Sequence, residues 1–503
     1  MSAASSSTTN EHHARVERVV AQLRAHPDDR AVSFKKKAVS HQVPKRNDRR
    51  HTDDKIDLSD LDRILEIDVE AMTCTAESGV TFSDLVAATL RHGLAPIVVP
   101  ELKTITIGGA VTGCSLESRS FEYGGFHDTC LEYEVITGPG DVLRCTPDNE
   151  HALVFQMMHG SFGTLGVLST LKFRLLPAKP YVHVRYERFA TLAEYQSAIW
   201  RHFVERDVDF MDGIIHAAND HVLSLGTFVD EAPYTSRYDW TKVYYQSTRE
   251  RTDDYLRTAD YFFRYDHGVT NVHPKSAFGR LILGKLMDSG RLLRAAEMFR
   301  RILPAERPNV TVDLFIPSSR LDEFMSWYRA AIGFFPLWCV PYRVVRDYEW
   351  LAPAFFEPLP DRLFIDLAIY GLAQPEGRNY YAELEAELPR VNGLKTLISY
   401  NFYDEETFWR TWNRANYLAV KRVTDPSHLL RDLYDKTCRA PRGLDDLHGT
   451  LRSRLVSRAP YPAPTLDQRR RMSVRSKHVF ARPRAGERTG REPFTPEGVS
   501  WST

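Results

Sequence analysis

The 503-residue chain lacks any apolar run near the roughly 20 residues that cross a bilayer; LAPIVVP at 94–100 is among its longest. Its polar start, MSAASSSTTNEHHARVERVVAQLRAHPDD, has no apolar centre of the secretory kind, so a cytoplasmic protein is expected. Cysteine is scarce: Cys74, Cys114, Cys130, Cys145, Cys339 and Cys438 form no CxxC pair, which speaks against a disulfide frame or a zinc cluster. No metal site is expected. Net charge is absent too, with 66 Lys+Arg against 66 Asp+Glu, and no stripe of basic and aromatic residues points to nucleic acid. Lysine is outnumbered 15 to 51 by arginine, a bias that points to a GC-rich bacterial genome and not to chemistry. No internal repeat is present.

What is there is the 43% apolar content of a globular protein, long enough for two or three domains. The strand-like MTCTAESG (72–79) leads into the helix TFSDLVAATLRHG, with Thr81 as N-cap and Gly93 as stop, and then a strand APIVVP. CLEYEVITGPGDVLRCT (130–146) reads as a hairpin turned at Gly138–Asp141, and GVLSTLKFRLLPA (166–178) as a strand. From about 182 to 440, strands such as YVHVRYERF, GIIHAA, TVDLFIP and RLFIDLAIYG alternate with helices such as LAEYQSAIWRHFVE. The predicted fold class is α+β, with a second α+β domain. Residues 441–503 hold 13 Arg/Lys, 6 Asp/Glu and seven prolines and read as a basic, largely disordered tail; residues 1–14 read as a disordered start.

Two glycine-bearing stretches carry the chemistry. VVPELKTITIGGAVTG (98–113), followed by SLESRSFEYGGFHD (115–128), sets Gly108, Gly109 and Gly113 in a Thr-rich run whose backbone could approach a phosphate and point N–H groups at it. It has neither the GxGxxG of a Rossmann turn nor a Walker lysine. GSFGTLGVLSTLKFRLLPA (160–178) places Gly160, Gly163 and Gly166 before a strand, a pattern that a tight structural turn explains equally well.

In this order, about 50 residues apart, these segments resemble the FAD-binding domain of the vanillyl-alcohol oxidase / p-cresol methylhydroxylase superfamily. ELKTITIGGAVTGCSLESRSFEYGGFHDTCLEYEVITGPGDVLRCT, GTLGVLSTLKFRLLPAKPYV, PLWCVPYR, RLFIDLAIYG, ETFW and LYDKTCRA are, more narrowly, similar to the delta-24-sterol reductases, collinearly over about 15–440. The chain departs from the animal members in having no membrane-spanning start and in its basic tail. The resemblance implies a two-subdomain FAD-binding domain of the vanillyl-alcohol oxidase type over 15–181, followed by an α+β substrate (cap) domain over 182–440. Ile107, Gly108, Gly109, Thr112 and Gly113 would line the diphosphate, Glu117 and Ser118 would follow the flavin, and Gly163, Thr164, Gly166 and Val167 would close over it. FKKKAVSHQVPKR (34–46) takes the place of the first diphosphate loop, with Ser40, His41 and Gln42 as contacts; His41 reads as a polar contact and not a covalent flavin ligand, and Lys36 and Lys37 as solvated.

Such a flavoprotein would reduce an isolated lipid alkene. A hydride cannot be pushed onto an alkene with no carbonyl to absorb the charge, so a general acid must protonate it as a tertiary cation develops. That demands a dry pocket with aromatic faces. Tyr244, Tyr245, Tyr255, Tyr261, Phe262, Phe263 and Tyr265, then Phe334, Phe335, Trp338, Tyr342, Tyr348 and Trp350, supply the rings, about a quarter for the pocket and the rest for core. The acid candidates are Glu117, then His267 in FFRYDHG beside Asp266, then Tyr370. NADPH or NADH is the expected electron donor, visiting the same pocket because no separate nicotinamide domain is present. The expected substrate is a methylene-branched acyl chain (10-methylene to 10-methyl stearoyl type) on a phospholipid. It would be met at the inner face of the plasma membrane through the basic tail, with the methyltransferase that makes the alkene as a partner. Delta-24 reduction of a sterol side chain, or FAD-dependent oxidation of an alcohol or sugar, are the alternatives.

Overall fold

The computed structural model describes residues 3–27, 30–38, 47–239, 242–266, 268, 309–359 and 362–444. The start of the chain is a helix, Ala3–Ala25, and not the disordered segment expected over 1–14. Val16, Val19, Val20 and Leu23 form an i, i+3, i+4, i+7 stripe that packs on Val32, Ile56, Ile136, Val167 and Leu430. His12 is buried between Glu77 (2.8 Å) and Glu134 (3.0 Å), and Arg15 Nε donates to Glu77 at 2.7 Å. This apolar and ionic anchorage is what the polar composition hid.

Strands β1 (Val32–Lys35) and β2 (Asp54–Asp57) pair in parallel beneath this helix. The next sheet has the order β3 (Ile64–Asp68), β4 (Thr73–Glu77), β8 (Val167–Pro177), β6 (Cys130–Ile136), β7 (Val142–Cys145), with β5 (Leu94–Pro96) also on β8. β5 is only the first part of the predicted APIVVP strand. Thr81 caps the helix Phe82–Thr89 by accepting from Asp84 N, and Gly93 takes φ +67° after the helical turn Leu90–His92, as the spacing predicts.

The second sheet is antiparallel, in the order β12 (Asp253–Arg257), β9 (Tyr181–Phe189), β11 (Asp220–Val229), β10 (Phe210–Ala217), β14 (Leu337–Arg343), β15 (Leu363–Leu372), β13 (Val310–Pro317), β16 (Leu394–Lys395). Because side chains alternate along a strand, one face (Leu314, Ile316, Leu337, Cys339, Ile365, Leu367, Ile369) packs on helices such as Leu192–Glu205 and Leu321–Ala331. The opposite face carries Asp212, Asp313, Phe315, Trp338, Val340, Tyr342, Phe364, Asp366 and Tyr370. Trp338, Val340 and Ala368 share a core with the first domain's Phe126, Tyr133 and Phe173.

The cap does not continue unbroken to residue 440. Helix Arg414–Thr424 returns to the first domain, where Lys421 Nζ donates to the Thr164 carbonyl at 2.7 Å, and Leu430 forms a parallel bridge with Val32. Tyr417, Val420, Leu433 and Cys438 lie in the core that the two domains share. Of the tail, residues 445–503 lie outside the described residues.

Candidate functional site

Residues Ile107–Thr112 form a short helix, not an open loop, capped by the Thr106 hydroxyl and ending at Gly113. Its first-turn amides already have acceptors: Ile107 N bonds Val80 O (3.0 Å), Gly108 N bonds Ser78 O (2.9 Å) and Gly109 N bonds the Thr106 hydroxyl (3.3 Å). Free N–H groups are therefore not what the glycine pair offers here, and the expected amide cradle is corrected. A Cβ on Gly108 would lie 2.6 Å from Ser78 Cβ, so this glycine lets the helix press on the preceding strand's end. Thr112 Oγ1 donates to Gly108 O at 3.0 Å. The second glycine stretch is a turn stacked on this helix through Phe162 N to Thr112 O (3.0 Å), with Gly160, Gly163 and Gly166 at φ +65°, +67° and +142°. Thr164 holds the turn through Ser161 O at 2.7 Å. Gly166 abuts Val135, where a Cβ would lie 2.9 Å from Cγ1, and Val167 faces the N-terminal helix's core. These two shape the turn and the start of β8.

Between the domains lies a cleft enclosing about 660 Å³, open mouth included. Gly113, Cys114, Gly160 and Phe162 line it from the first domain, and Phe315, Tyr342, Tyr348, Trp350, Phe355, Phe364 and Trp412 from the second. Of the aromatic residues singled out in the sequence, Tyr342, Tyr348 and Trp350 line it. Tyr244, Tyr261, Tyr265 and Trp338 are core. Tyr342 and Tyr348 hydroxyls meet at 2.5 Å, and Tyr348 donates to buried Asp128 at 2.9 Å, which Arg346 contacts at 2.7 Å. His127, edge-on to Tyr348 with ring centroids 5.7 Å apart, makes no hydrogen bond with either ring nitrogen, and neither does Trp350 Nε1.

Two acid clusters include residues of the sheet face turned away from the helices. In the first, Glu117 accepts from Arg264 at 2.9 Å and from the Ser118 amide and hydroxyl; Arg264 also lies 3.0 Å from Asp212, to which Tyr265 (2.6 Å) and Trp338 (3.1 Å) donate. Burial raises the Glu117 pKa against the opposing Arg264 charge. Glu117 is thus half of an ion pair and not a free acid, and residues 262–266 beside it are buried. In the second, Tyr370 donates to Asp313 Oδ1 at 2.5 Å, and Thr396, which lines the cleft, donates to Oδ2 at 3.3 Å. Asp366 is paired across the strands with cleft-lining Phe315, and its Oδ1 is buried without a partner. Burial pushes Asp313 up to about 6, Asp366 well above the carboxylate range, and nearby Glu101 up to about 8. Asp366 and Glu101 therefore favour their protonated forms at neutral pH, whereas Asp313 loses its proton as pH passes about 6. Ser40, His41, Gln42 and His267 lie outside the described residues.

Sequence reading missed Asp212, Arg264, Asp313, Asp366 and Glu101. The signal was present: GIIHAA begins in FMDGIIHA, and TVDLFIP and FIDLAIYG each set one Asp in an otherwise apolar strand.

Residues 47–146 match the FAD binding domain family. The chain is 25% identical over 403 residues to the Delta(24)-sterol reductase of Homo sapiens, covering 75% of this chain and 77% of that one. It is 24% identical over 411 residues to the Delta(24)-sterol reductase of Arabidopsis thaliana, covering 73% of each chain. The chain is thus similar to the delta-24-sterol reductases over three quarters of its length and carries a match to an FAD-binding domain. A Cytokinin dehydrogenase 6 of Oryza sativa subsp. japonica is 26% identical over 267 residues, 48% of each chain. The residues present fit FAD. A flat ring matches the aromatic cleft beside Gly113 and Gly160, where Trp350 Nε1 is a buried donor without an acceptor. Lys36, whose Nζ lies 3.7 Å from where a Cβ on Gly109 would stand, is a cation at the glycine pair for the phosphates.

Proposed function

We propose that the chain is an FAD-dependent, NAD(P)H-driven reductase that saturates an isolated carbon–carbon double bond in a lipid, with a methylene-branched acyl chain as substrate and the methyl-branched chain as product. The observation that carries this is the pairing of an apolar aromatic cleft with carboxyls whose pKa values burial raises, Asp313 and Asp366 beside Tyr370. Bound FAD supplies the hydride. The chain's own part is to orient the alkene among Tyr342, Tyr348, Trp350 and Phe364, to exclude water, and to hold a proton at the Asp313–Asp366–Tyr370 set with Thr396 linking it to the cleft. Aromatic faces stabilise the positive charge that develops as the proton moves.

The named activity of the sterol reductase relatives supports a sterol side chain as a second reading, because that alkene too gives a tertiary cation on protonation. The arginine-rich composition, read as bacterial, favours the acyl chain. Action at the inner face of the plasma membrane, beside the methyltransferase that makes the methylene group, belongs to the same reading. Anaerobic reduction of the yellow protein by NADPH or NADH, then reoxidation by methylene-acyl phospholipid or by desmosterol with products read by mass spectrometry, tests it. Rapid reoxidation with a methyl-branched product is expected. Reoxidation by neither lipid, with oxygen-dependent turnover of polyols, would overturn it.

A further inference from the structure

Among the described residues, two lysines near the glycine segments have no acid in an ion pair with them. Lys36 directly follows β1, with Nζ 3.7 Å from where a Cβ on Gly109 would stand. Lys436 is 8% exposed, within the LYDKTCRA segment, in a π-helical turn Asp435–Arg439, a conformation that concentrates at functional sites. Its Nζ reaches the Gly163 carbonyl at 3.4 Å and lies 5.4 Å from the centroid of Phe34, two residues before Lys36. The turn holding Gly163 is bonded to the helix holding Gly109 through Phe162 N and Thr112 O, so one ammonium group lies at each of two joined glycine segments.

The neighbouring charges are already committed. Arg431 pairs with Asp53 at 2.7 Å, Lys421 with Asp425 at 2.7 Å and Arg50 with Asp48 at 2.5 Å, whereas Lys37 is exposed and pairs with Asp62 at 2.7 Å. Burial pushes Lys436 down to about 7, with Arg50, Lys421 and Arg431 adding to the fall and Asp53 opposing it; burial alone takes Lys36 down to about 8. A buried ammonium without a counter-charge is costly unless a ligand supplies one. The amides of helix Ile107–Thr112 are consumed internally, so an anion there must be met by side chains.

We propose that Lys36 and Lys436, one at each glycine segment and from opposite ends of the chain, both contact the diphosphate of FAD and clamp it. This rests on the flavin reading above and names the cations that reading needs. A dianion between them restores both ammonium charges, so FAD binding takes up protons and weakens as pH rises.

The test uses the full chain stripped of flavin and titrated with FAD, and with riboflavin as a probe without the diphosphate, followed by flavin fluorescence. We expect FAD to bind wild type at least about tenfold more weakly at pH 9 than at pH 7. K36Q and K436Q should each lose about tenfold or more in FAD affinity at pH 7 with riboflavin unchanged, and K436R should retain most of it. Gln variants at wild-type affinity, or FAD binding that is flat with pH, would overturn the clamp. Should a variant fail to fold, the wild-type pH dependence decides alone. A wild type that refuses FAD altogether sinks the flavin reading itself, a distinct outcome.

Discussion

The two faces of the eight-stranded sheet are built by the same strands for different ends. Toward the helices, Leu314, Ile316, Ile365, Leu367 and Ile369 are buried hydrocarbon and hold no titratable group. Toward the first domain, one residue along, Asp212, Asp313 and Asp366 are buried as well, with Tyr370 half-buried beside them. Alternation lets one β-strand carry both without compromise. The apolar face gains stability from area removed from water. The acid face spends some of it, since Asp366 Oδ1 has no partner and burial opposes its charge.

The sharpest break in this contrast is Arg264→Leu, which strands Glu117 and Asp212 as unpaired buried carboxylates. It should cost roughly 3–5 kcal/mol, read as a clear loss of denaturation midpoint. A midpoint at the wild-type value would dismiss the ion-pair network. Next, Leu367→Ala on the apolar face should lose about 2–5 kcal/mol of stability while turnover per folded molecule stays near wild type. On the other face, Asp366→Asn should leave stability unchanged or raised, yet slow alkene reduction by about 10²–10⁴; equal rates would remove Asp366 from the chemistry. pH sharpens the same point. An acid whose carboxyl must be protonated loses activity as pH climbs through its raised pKa, about 6 for Asp313 and about 8 for Glu101, so the alkene step should fall across that window.

Smaller, and away from the sheet, is the anchorage of the N-terminal helix. Burial alone would lower the His12 pKa, but hydrogen bonds to Glu134 and Glu77 outweigh it and raise it to about 9. A histidine raised above its ordinary 6.5 contributes stability fully below that pH and loses it as pH passes about 9. Tryptic cleavage at Arg15 and Arg18 should therefore quicken between pH 7 and pH 10. No change would mean that Val16, Val19 and Leu23 alone hold the helix.

Much of the fold was legible. Thr81, Gly93 and the Gly138–Asp141 turn are local signals with local physics, and the amphipathic helix Leu192–Glu205 fell where its periodicity put it. The α+β class and the FAD-binding domain were legible as a resemblance. What local pattern could not show was tertiary. Helix Ala3–Ala25 needs partners from Val32 to Leu430 to be stable, and the cap's end is set by Lys421 and Tyr417 docking on the first domain. At the site, the glycine segments and Tyr370 were legible. Their roles were less so: whether an amide is already bonded, as in Gly108, or a glutamate already paired, as in Glu117, depends on residues far away in the chain.

The account's central claim is that the acid face of the sheet protonates an alkene held in the aromatic cleft. Wild type and Asp366→Asn should be reduced with NADPH in the absence of oxygen and then mixed with methylene-acyl lipid in a stopped-flow spectrometer. Equal bleaching of the two proteins, with prompt return of the yellow colour only in wild type, is the expected result. Equally fast return of colour in the Asn variant would contradict it.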